Sequence, residues 1–219
     1  MFKNMKIGVK IITGFAILLA IMLIVGWMGI RNIYTIDNAD TFLYEQVTRP
    51  IAYMGRITTN FNRIRVNVVN SVRVNDETTI EKYRTSIQNY EKVIKEQFVL
   101  YEKTYFSDED KRIFEEFMSK YDSYVNYINQ VFQHVRNGNH EAGEKLVNGV
   151  MKDIGFEVKY LGKKITDLNI DMAETTAANN TELANSSASF TYVLIAVALL
   201  IGILLGIFFM KNIGGILKA

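Results

Sequence analysis

The stretch FEEFMSKYDSYVNYINQVFQHV (Phe114–Val135) places an apolar or aromatic residue at every third or fourth position. This spacing is the period of an α-helix with one apolar side and one polar side. Three further stripes of the same period run over Ile33–Val68, Ile80–Tyr101 and Leu146–Met172. Together the stripes predict four helices that share one core.

The connections between the stripes are short and carry helix-ending signals. Asp76 can cap the second helix, Ser107 opens a capping box with an acidic residue three positions later, and Gly138 can end the third helix. Short connections make neighbouring helices antiparallel, which predicts an all-α, up-down-up-down four-helix bundle. Pro50 should kink or locally loosen the first helix near Val47, because proline lacks a backbone N–H.

Two apolar runs without a charged residue flank the stripes, at Ile11–Ile30 and Phe190–Met210. Each has roughly the 20-residue length that a helix needs to cross a bilayer. Both runs therefore predict transmembrane helices, continuous with the first and the fourth helix of the bundle. The first run is longer than the apolar part of a signal peptide, and no A-x-A-like cleavage site follows it, so an uncleaved anchor is favoured.

Lysines lie on the outer side of both apolar runs, at Lys3, Lys6, Lys10, Lys211 and Lys218. Cytoplasmic flanks are enriched in Lys and Arg, so both termini are expected in the cytoplasm. These lysines also explain the net charge of +2, which therefore indicates no affinity for nucleic acid. The predicted segments are a cytoplasmic N-terminus (1–10), a transmembrane helix (11–30), an extracytoplasmic sensor domain (31–189), a second transmembrane helix (190–210) and a cytoplasmic segment (211–219).

Signals for catalysis or for a cofactor are missing from the sequence. The chain has no cysteine, which excludes disulfides and thiol chemistry. Its two histidines, His134 and His140, do not have the spacing of zinc ligands. Gly138–Lys145 has glycines at P-loop spacing, but Glu144 stands where the lysine should be. We therefore expect no enzyme, no metal and no cofactor.

Basic residues of the first helix are the best candidates for a ligand site. Arg49, Arg56 and Arg63 recur at heptad spacing on one face of that helix. Polar and basic residues continue toward its end at Arg65, Asn67, Asn70 and Arg73. An arginine fork suits a carboxylate, because it makes paired hydrogen bonds. The alternative is a solvated face that pairs with acidic residues of the neighbouring helices.

A small-residue motif, Gly202-x-x-x-Gly206, lies in the second apolar run. Two glycines one turn apart let another helix backbone approach closely within lipid. The motif predicts packing between transmembrane helices.

Several stretches carry a family pattern: Met5–Lys10, Arg49–Ile57, Arg63–Asn67, Tyr101–Glu116, and Asn137–Asn139 with Ala142. Together they resemble the four-helix-bundle ligand-binding region of bacterial methyl-accepting chemotaxis proteins. The resemblance implies the sensory module of a chemoreceptor in the bacterial inner membrane, a homodimer whose first helices pair about a twofold axis. Such a module recognises a small molecule or a periplasmic binding protein and transmits this recognition by a helix shift.

The resemblance also implies a ligand site near the distal tip of the bundle. By position, its residues are Arg63, Arg65, Asn67 and Arg73 of the first helix, with Phe156 and Lys159 of the fourth. In that family a HAMP relay and a signalling coiled coil follow the second transmembrane helix, and Met210–Leu217 resembles a HAMP start. The sequence ends at Ala219, so we expect a fragment, or a receptor that needs a separate cytoplasmic signalling protein. Alternatives are the input domain of a sensor histidine kinase or of a cyclic-dinucleotide enzyme, and an outputless structural or accessory membrane protein.

Overall fold

The structure, a computed structural model, describes residues 6–214. All regular elements in this part of the chain are helical. They are α1 (Ile7–Phe42), a π-helical segment (Leu43–Thr48), α2 (Arg49–Ser71), α3 (Glu77–Tyr101), a 3-10 turn (Glu102–Thr104), α4 (Asp108–Arg136), α5 (His140–Asn148) and α6 (Val150–Gly214). The expectations that rest on Lys3, on Lys218 and on a HAMP start beyond Gly214 lie outside the described residues.

The chain forms two compact units. The first unit, Thr41–Thr176, contains the π-helical segment, α2 to α5 and the first part of α6. The second unit contains the described residues up to Asp40 and those from Ala177 onward. In the first unit, α2, α3, α4 and the pair α5–α6 follow one another through short turns. The predicted all-α, up-down-up-down bundle is confirmed.

Side-chain caps fix where the helices of the bundle begin. The Asp76 carboxylate accepts the backbone N–H of Thr79 at 2.8 Å, and the Ser107 hydroxyl accepts the backbone N–H of Asp110 at 3.1 Å. Gly138 ends the α4 region with a φ of 74°, the left-handed conformation that glycine adopts at little cost. The caps at Asp76 and Ser107 and the helix end at Gly138 are confirmed. The capping box is only half formed, because the Asp110 side chain is buried in the bundle instead of reaching back to the Ser107 N–H.

The segment before Pro50 is loosened, as the sequence predicts. Leu43–Thr48 is π-helical, and Pro50 lies in the first turn of α2. The Thr48 hydroxyl donates to the Leu43 carbonyl at 2.9 Å. Proline has no N–H to donate to a carbonyl group of the preceding turn. The wider π-helical turn accommodates the carbonyl group that lacks this donor.

The fourth stripe is interrupted at Gly149, where the sequence predicted a continuous helix. α5 ends at Asn148 and α6 begins at Val150. A Cβ atom on Gly149 would lie 2.8 Å from the Lys145 carbonyl oxygen, which is closer than a carbon and an oxygen normally approach. A residue without a side chain lets the two helices meet at this sharp turn.

Aromatic rings of α3 and α4 fill the centre of the bundle. Tyr101 stacks on Phe114 with ring centroids 4.2 Å apart. Phe98 meets the edges of Phe114 and Phe117 at 5.6 and 6.0 Å and that of Tyr121 at 5.2 Å. All five side chains are buried. The stripe that begins at Phe114 therefore forms core, because its rings interlock with those of α3.

In the second unit, α1 and α6 lie side by side. Asn32 donates to the Thr191 hydroxyl at 3.5 Å, and Asn180 donates to the Asp40 carboxylate at 3.3 Å. Ile33 is 67% exposed, although its stripe predicts a place in the core. The residues of α6 in this unit before Phe190 are mostly small and polar, so they offer no apolar surface that could bury it.

Both apolar runs are long and apolar enough to cross a membrane. No more than 6% of either apolar window is buried inside the protein. Apolar helices that remain exposed suit a lipid environment, where the hydrocarbon takes the place of a protein core.

Candidate functional site

Among the predicted site residues, Arg65 contacts side chains of two other helices, α4 and α6. It is half-buried on α2, and its guanidinium lies over the ring of Phe156 of α6, 5.9 Å from the ring centroid. Tyr124 of α4 lies beside it. Gly155 leaves the space that these side chains occupy, because a Cβ atom there would lie 3.1 Å from Arg65 Nε and 3.4 Å from Tyr124 Cε2.

A groove with a volume of about 520 Å³ opens beside Arg65. Pockets of this size accept small organic molecules. Two of its lining residues are basic, three are amides, one is Tyr124, four are apolar, and none of the described lining residues is acidic. They are Arg65, Lys152, Asn62, Asn70, Asn148, Tyr124, Val66, Val69, Val147 and Met151.

The charge of Arg65 has no carboxylate within 4.0 Å in the described part of the chain. The guanidinium instead interacts with a phenol, the Tyr124 hydroxyl. Burial raises the pKa of Tyr124 to about 12, and Arg65 opposes that rise through its charge and by hydrogen bonding. Tyr124 therefore stays neutral at physiological pH and leaves the positive charge uncompensated, which favours an anion in the groove.

The other predicted site residues do not gather around Arg65. Arg63 lies over the ring of Tyr90 of α3, 5.6 Å from its centroid. With Asn67 it lines a second groove of about 400 Å³, which adjoins the first along Asn62 and Val66. Arg73 and Lys159 are exposed and line neither groove. Of the six residues, the structure brings Arg65 and Phe156 together and places Arg63 and Asn67 in a second group.

Three of the four arginines of α2, Arg49, Arg63 and Arg65, contact aromatic rings where the sequence left open a pairing with acidic neighbours. Arg49 lies over Tyr53, 5.8 Å from the ring centroid, as Arg63 and Arg65 lie over their own rings. Among the described residues, no arginine of α2 has a carboxylate within 4.0 Å. Cation–π contacts hold these guanidinium groups and leave their N–H edges available to a ligand.

The sequence did not indicate most of the residues that line the groove, Tyr124 and Lys152 among them. Tyr124 was assigned to the core, and it is indeed 3% exposed, yet its edge lies beside Arg65. Lys152 lines the groove without belonging to a recognisable motif. Gly155 and Gly162 stand at heptad spacing on α6, and isolated glycines in a helix indicate a close approach. Gly155 is the one signal that could have indicated a close contact near the groove, because its missing side chain leaves space for Arg65.

The two glycines predicted to pack transmembrane helices lie in the second unit. A Cβ atom on Gly202 would lie 3.6 Å from a methyl group of Leu18, whereas Gly206 has open space around it. Both line an apolar cavity of about 240 Å³, together with Gly14 and Phe209. Packing through Gly202 and Gly206 within lipid stays a prediction.

Comparison with known proteins gives one family. The family described as "Four helix bundle sensory module for signal transduction" matches residues 4–184. A protein of Acetivibrio thermocellus named "Putative sensory transducer protein" is 25% identical over 134 residues, which are 61% of this chain and 23% of that protein. The chain thus spans less than a quarter of the length of this relative. No solved structure matches the chain.

Proposed function

Because the chain belongs to the family of four-helix-bundle sensory modules for signal transduction, we propose that it is the ligand-binding module of a two-pass chemoreceptor in the bacterial inner membrane. The observation that carries this proposal is Arg65, a half-buried cation without a carboxylate partner among the described residues, at the wall of a groove of about 520 Å³. The ligand we propose is a small carboxylate.

The composition of the groove supports a carboxylate with an apolar body. Arg65 and Lys152 supply positive charge, and the amides of Asn62 and Asn70 can bind further oxygen atoms. Apolar residues such as Met151 form the rest of the wall. A free amino acid also carries an ammonium group, for which the described lining offers no acidic partner. We therefore expect simple organic acids to bind more tightly than amino acids of the same size.

The proposed topology places both termini in the cytoplasm and residues 31–189 outside the inner membrane. Lys6, Lys10 and Lys211 flank the two apolar runs on the sides proposed to be cytoplasmic. The cysteine-free chain offers a direct assay, because a single Asp122→Cys substitution on α4 can be labelled with a membrane-impermeant maleimide. Labelling in intact cells supports the topology, and labelling only after lysis rejects it.

The proposed signal passes along α6, in a homodimer whose first helices pair about a twofold axis. α6 carries Phe156 beside the groove and continues to Gly214 through the second apolar run. A ligand that favours one packing of this helix would shift it by about 1–2 Å. The ligand can bias the two packings only by its difference in affinity for them, typically about 1–3 kcal/mol.

A binding screen with the full chain in nanodiscs tests the ligand. Thermal shift against short-chain, branched and aromatic monocarboxylates should give a hit, and the matching amino acids should bind less tightly. Arg65→Ala should weaken the hit by about 10- to 150-fold, since hydrogen bonds to a charged group contribute about 1.5–3 kcal/mol. Arg56→Ala is the matched control, because Arg56 is an exposed arginine of the same helix outside the groove. Equal affinity in both variants would reject the groove as the site, even if the family assignment stands.

A second experiment tests the transmission. Cysteines placed one at a time from Asn179 to Ser189 should form disulfides between the subunits of the dimer at rates that change when the ligand is added. Rates that stay the same with a bound ligand would reject the helix shift while leaving the binding site intact.

A further inference from the structure

A hydrogen-bonded chain of three buried side chains crosses the bundle interior away from the groove. The Tyr101 hydroxyl, at the end of α3, donates to the Asp110 carboxylate in the first turn of α4 at 2.6 Å. Asn169 of α6 donates to the Tyr101 oxygen at 2.8 Å and to the Ile165 carbonyl at 2.9 Å. Tyr101, Asp110 and Asn169 are each 0% exposed. One chain of hydrogen bonds therefore joins α4, α3 and α6.

The chain has more acceptors than donors. Its three side-chain hydrogens, one on Tyr101 and two on Asn169, are all used by the bonds just described. Asp110 Oδ2 and Asn169 Oδ1 remain buried without a hydrogen-bond partner in the described part of the chain. A buried acceptor without a donor costs about 1–3 kcal/mol. Two acceptors of this cluster therefore lack a hydrogen, and one of them belongs to an ionisable group, the Asp110 carboxylate.

The charge of Asp110 is also uncompensated. Burial raises the pKa of the Asp110 carboxyl above its ordinary value of 3.8, and the Tyr101 hydroxyl and the Phe106 backbone N–H oppose that rise without cancelling it. Among the described residues, the other titratable groups that act on the pKa values of this cluster are acidic or phenolic: Tyr105 of the α3–α4 connection interacts with Asp110 and with Glu102 and Glu115. Within the described residues, neither α2 nor α6 supplies a charged side chain to the interactions that shift the Asp110 pKa.

We propose that Asp110, Tyr101 and Asn169 form a proton-binding site, and that its occupancy controls how firmly α6 is held to α3 and α4. A proton from water or from a buffer acid binds Oδ2 of Asp110, the oxygen without a partner, so that the carboxyl becomes neutral and one of the two unpartnered acceptors carries a hydrogen. The module then has a second input, pH, that is independent of any ligand in the groove. The site lies at the start of α4, two residues after the exposed Asp108.

The direction of the effect follows from the raised pKa. The folded chain binds this proton more tightly than the unfolded chain does, so protonation of Asp110 stabilises the fold. This stabilisation is complete below the ordinary pKa of about 3.8 and is lost as pH rises through the raised pKa of Asp110 in the folded chain. Acidification from neutral pH should therefore tighten the contact between α6 and the rest of the bundle.

Thermal unfolding of the full chain in nanodiscs, from about pH 4 to about pH 8, tests this proposal. Asp110→Asn keeps the shape and mimics the neutral carboxyl. It should raise the melting temperature near neutral pH and flatten the pH profile relative to the wild type. The matched control is Asp108→Asn, an exposed residue in the same first turn, which should leave the profile unchanged. The infrared carbonyl band of a protonated carboxyl should appear on acidification in the wild type and be reduced in Asp110→Asn.

Tyr101→Phe provides an independent test, also if Asp110→Asn fails to fold. It removes the hydrogen bond that lowers the Asp110 pKa, so the transition should move to higher pH. It also breaks the link to Asn169, so amide exchange around Ile165, corrected for its intrinsic pH dependence, should no longer respond to pH. A wild-type profile that matches that of Asp110→Asn, or an unshifted transition in Tyr101→Phe, would overturn the proposal.

Discussion

Substituting Gly155 with alanine should weaken ligand binding without weakening the fold. The new Cβ atom would lie 3.1 Å from Arg65 Nε, whereas carbon atoms pack at about 3.5–4.0 Å from their neighbours. Arg65 must therefore move by about 0.4 Å or more to relieve the contact. Hydrogen bonds to a carboxylate weaken steeply with distance and angle. We expect the dissociation constant of the carboxylate found by screening to rise about tenfold, a loss of about 1.4 kcal/mol.

The folding stability of Gly155→Ala should increase slightly or stay the same, although its ligand affinity falls. Alanine favours a helix interior over glycine by about 0.8–1.0 kcal/mol, which offsets the cost of the crowded contact. Gly162→Ala is the steric control: its Cβ atom would lie 3.1 Å from Thr58 Cγ2, an equally tight contact outside the groove. Gly55→Ala is the propensity control, because nothing lies within 4 Å of its Cβ position.

Isothermal titration calorimetry and thermal unfolding, both on the full chain in nanodiscs, separate the two effects. We expect weaker ligand binding in Gly155→Ala alone, and melting temperatures at or above that of the wild type in Gly155→Ala and Gly55→Ala. This prediction is refuted if Gly155→Ala binds the carboxylate as tightly as the wild type does while Arg65→Ala binds it less tightly. Gly155 would then have no part in positioning Arg65. If Gly162→Ala weakened ligand binding as much as Gly155→Ala does, the effect would come from a general change in the bundle and not from the position of Arg65.

Three further predictions concern the bundle itself, each checked by thermal or chemical unfolding. Phe114→Ala should cost about 3–5 kcal/mol, because it removes a fully buried ring that stacks on Tyr101; a loss below about 1 kcal/mol would contradict this place in the core. Gly138→Ala should cost about 1–2 kcal/mol, since an alanine at φ 74° is strained, and Gly138→Asn should cost less. Burial raises the pKa of Glu91, and Lys95 offsets this only in part. The folded chain therefore binds the Glu91 proton more tightly than the unfolded chain does, and this contribution to folding stability is present at low pH and is lost as pH rises through the raised pKa. Glu91→Gln should therefore increase stability at neutral pH and leave it unchanged at acidic pH, and a decrease at neutral pH would contradict the assignment.

Local signals predicted the helices well because they act within a few residues. Asp76 and Ser107 cap the helices that follow them, and Gly138 adopts the left-handed conformation. Pro50 loosens the turn before it. The break at Gly149 was not predicted, because the apolar stripe continues on both sides of the glycine. Apolar periodicity alone does not indicate a turn of a single residue.

The candidate site was predicted less completely. Arg63 and Arg65 were placed in one site, but residues two positions apart point about 200° apart around a helix. The structure accordingly places Arg63 over Tyr90 of α3 and Arg65 over Phe156 of α6. Helix geometry could have indicated this division from the sequence. Which ring each arginine would meet could not be read in advance, because the rings belong to other helices.

The sequence by itself determined the helical period, the helix ends and the two apolar runs, because each depends on neighbours along the chain and on transfer from water to an apolar phase. The tertiary structure alone decided that Gly155 opens space for Arg65 and that Asp110 leaves its capping position for a buried bond to Tyr101. These contacts join residues on different helices, and their geometry depends on how closely the helices pack. The pattern of residues along the sequence does not contain the distances between residues on different helices.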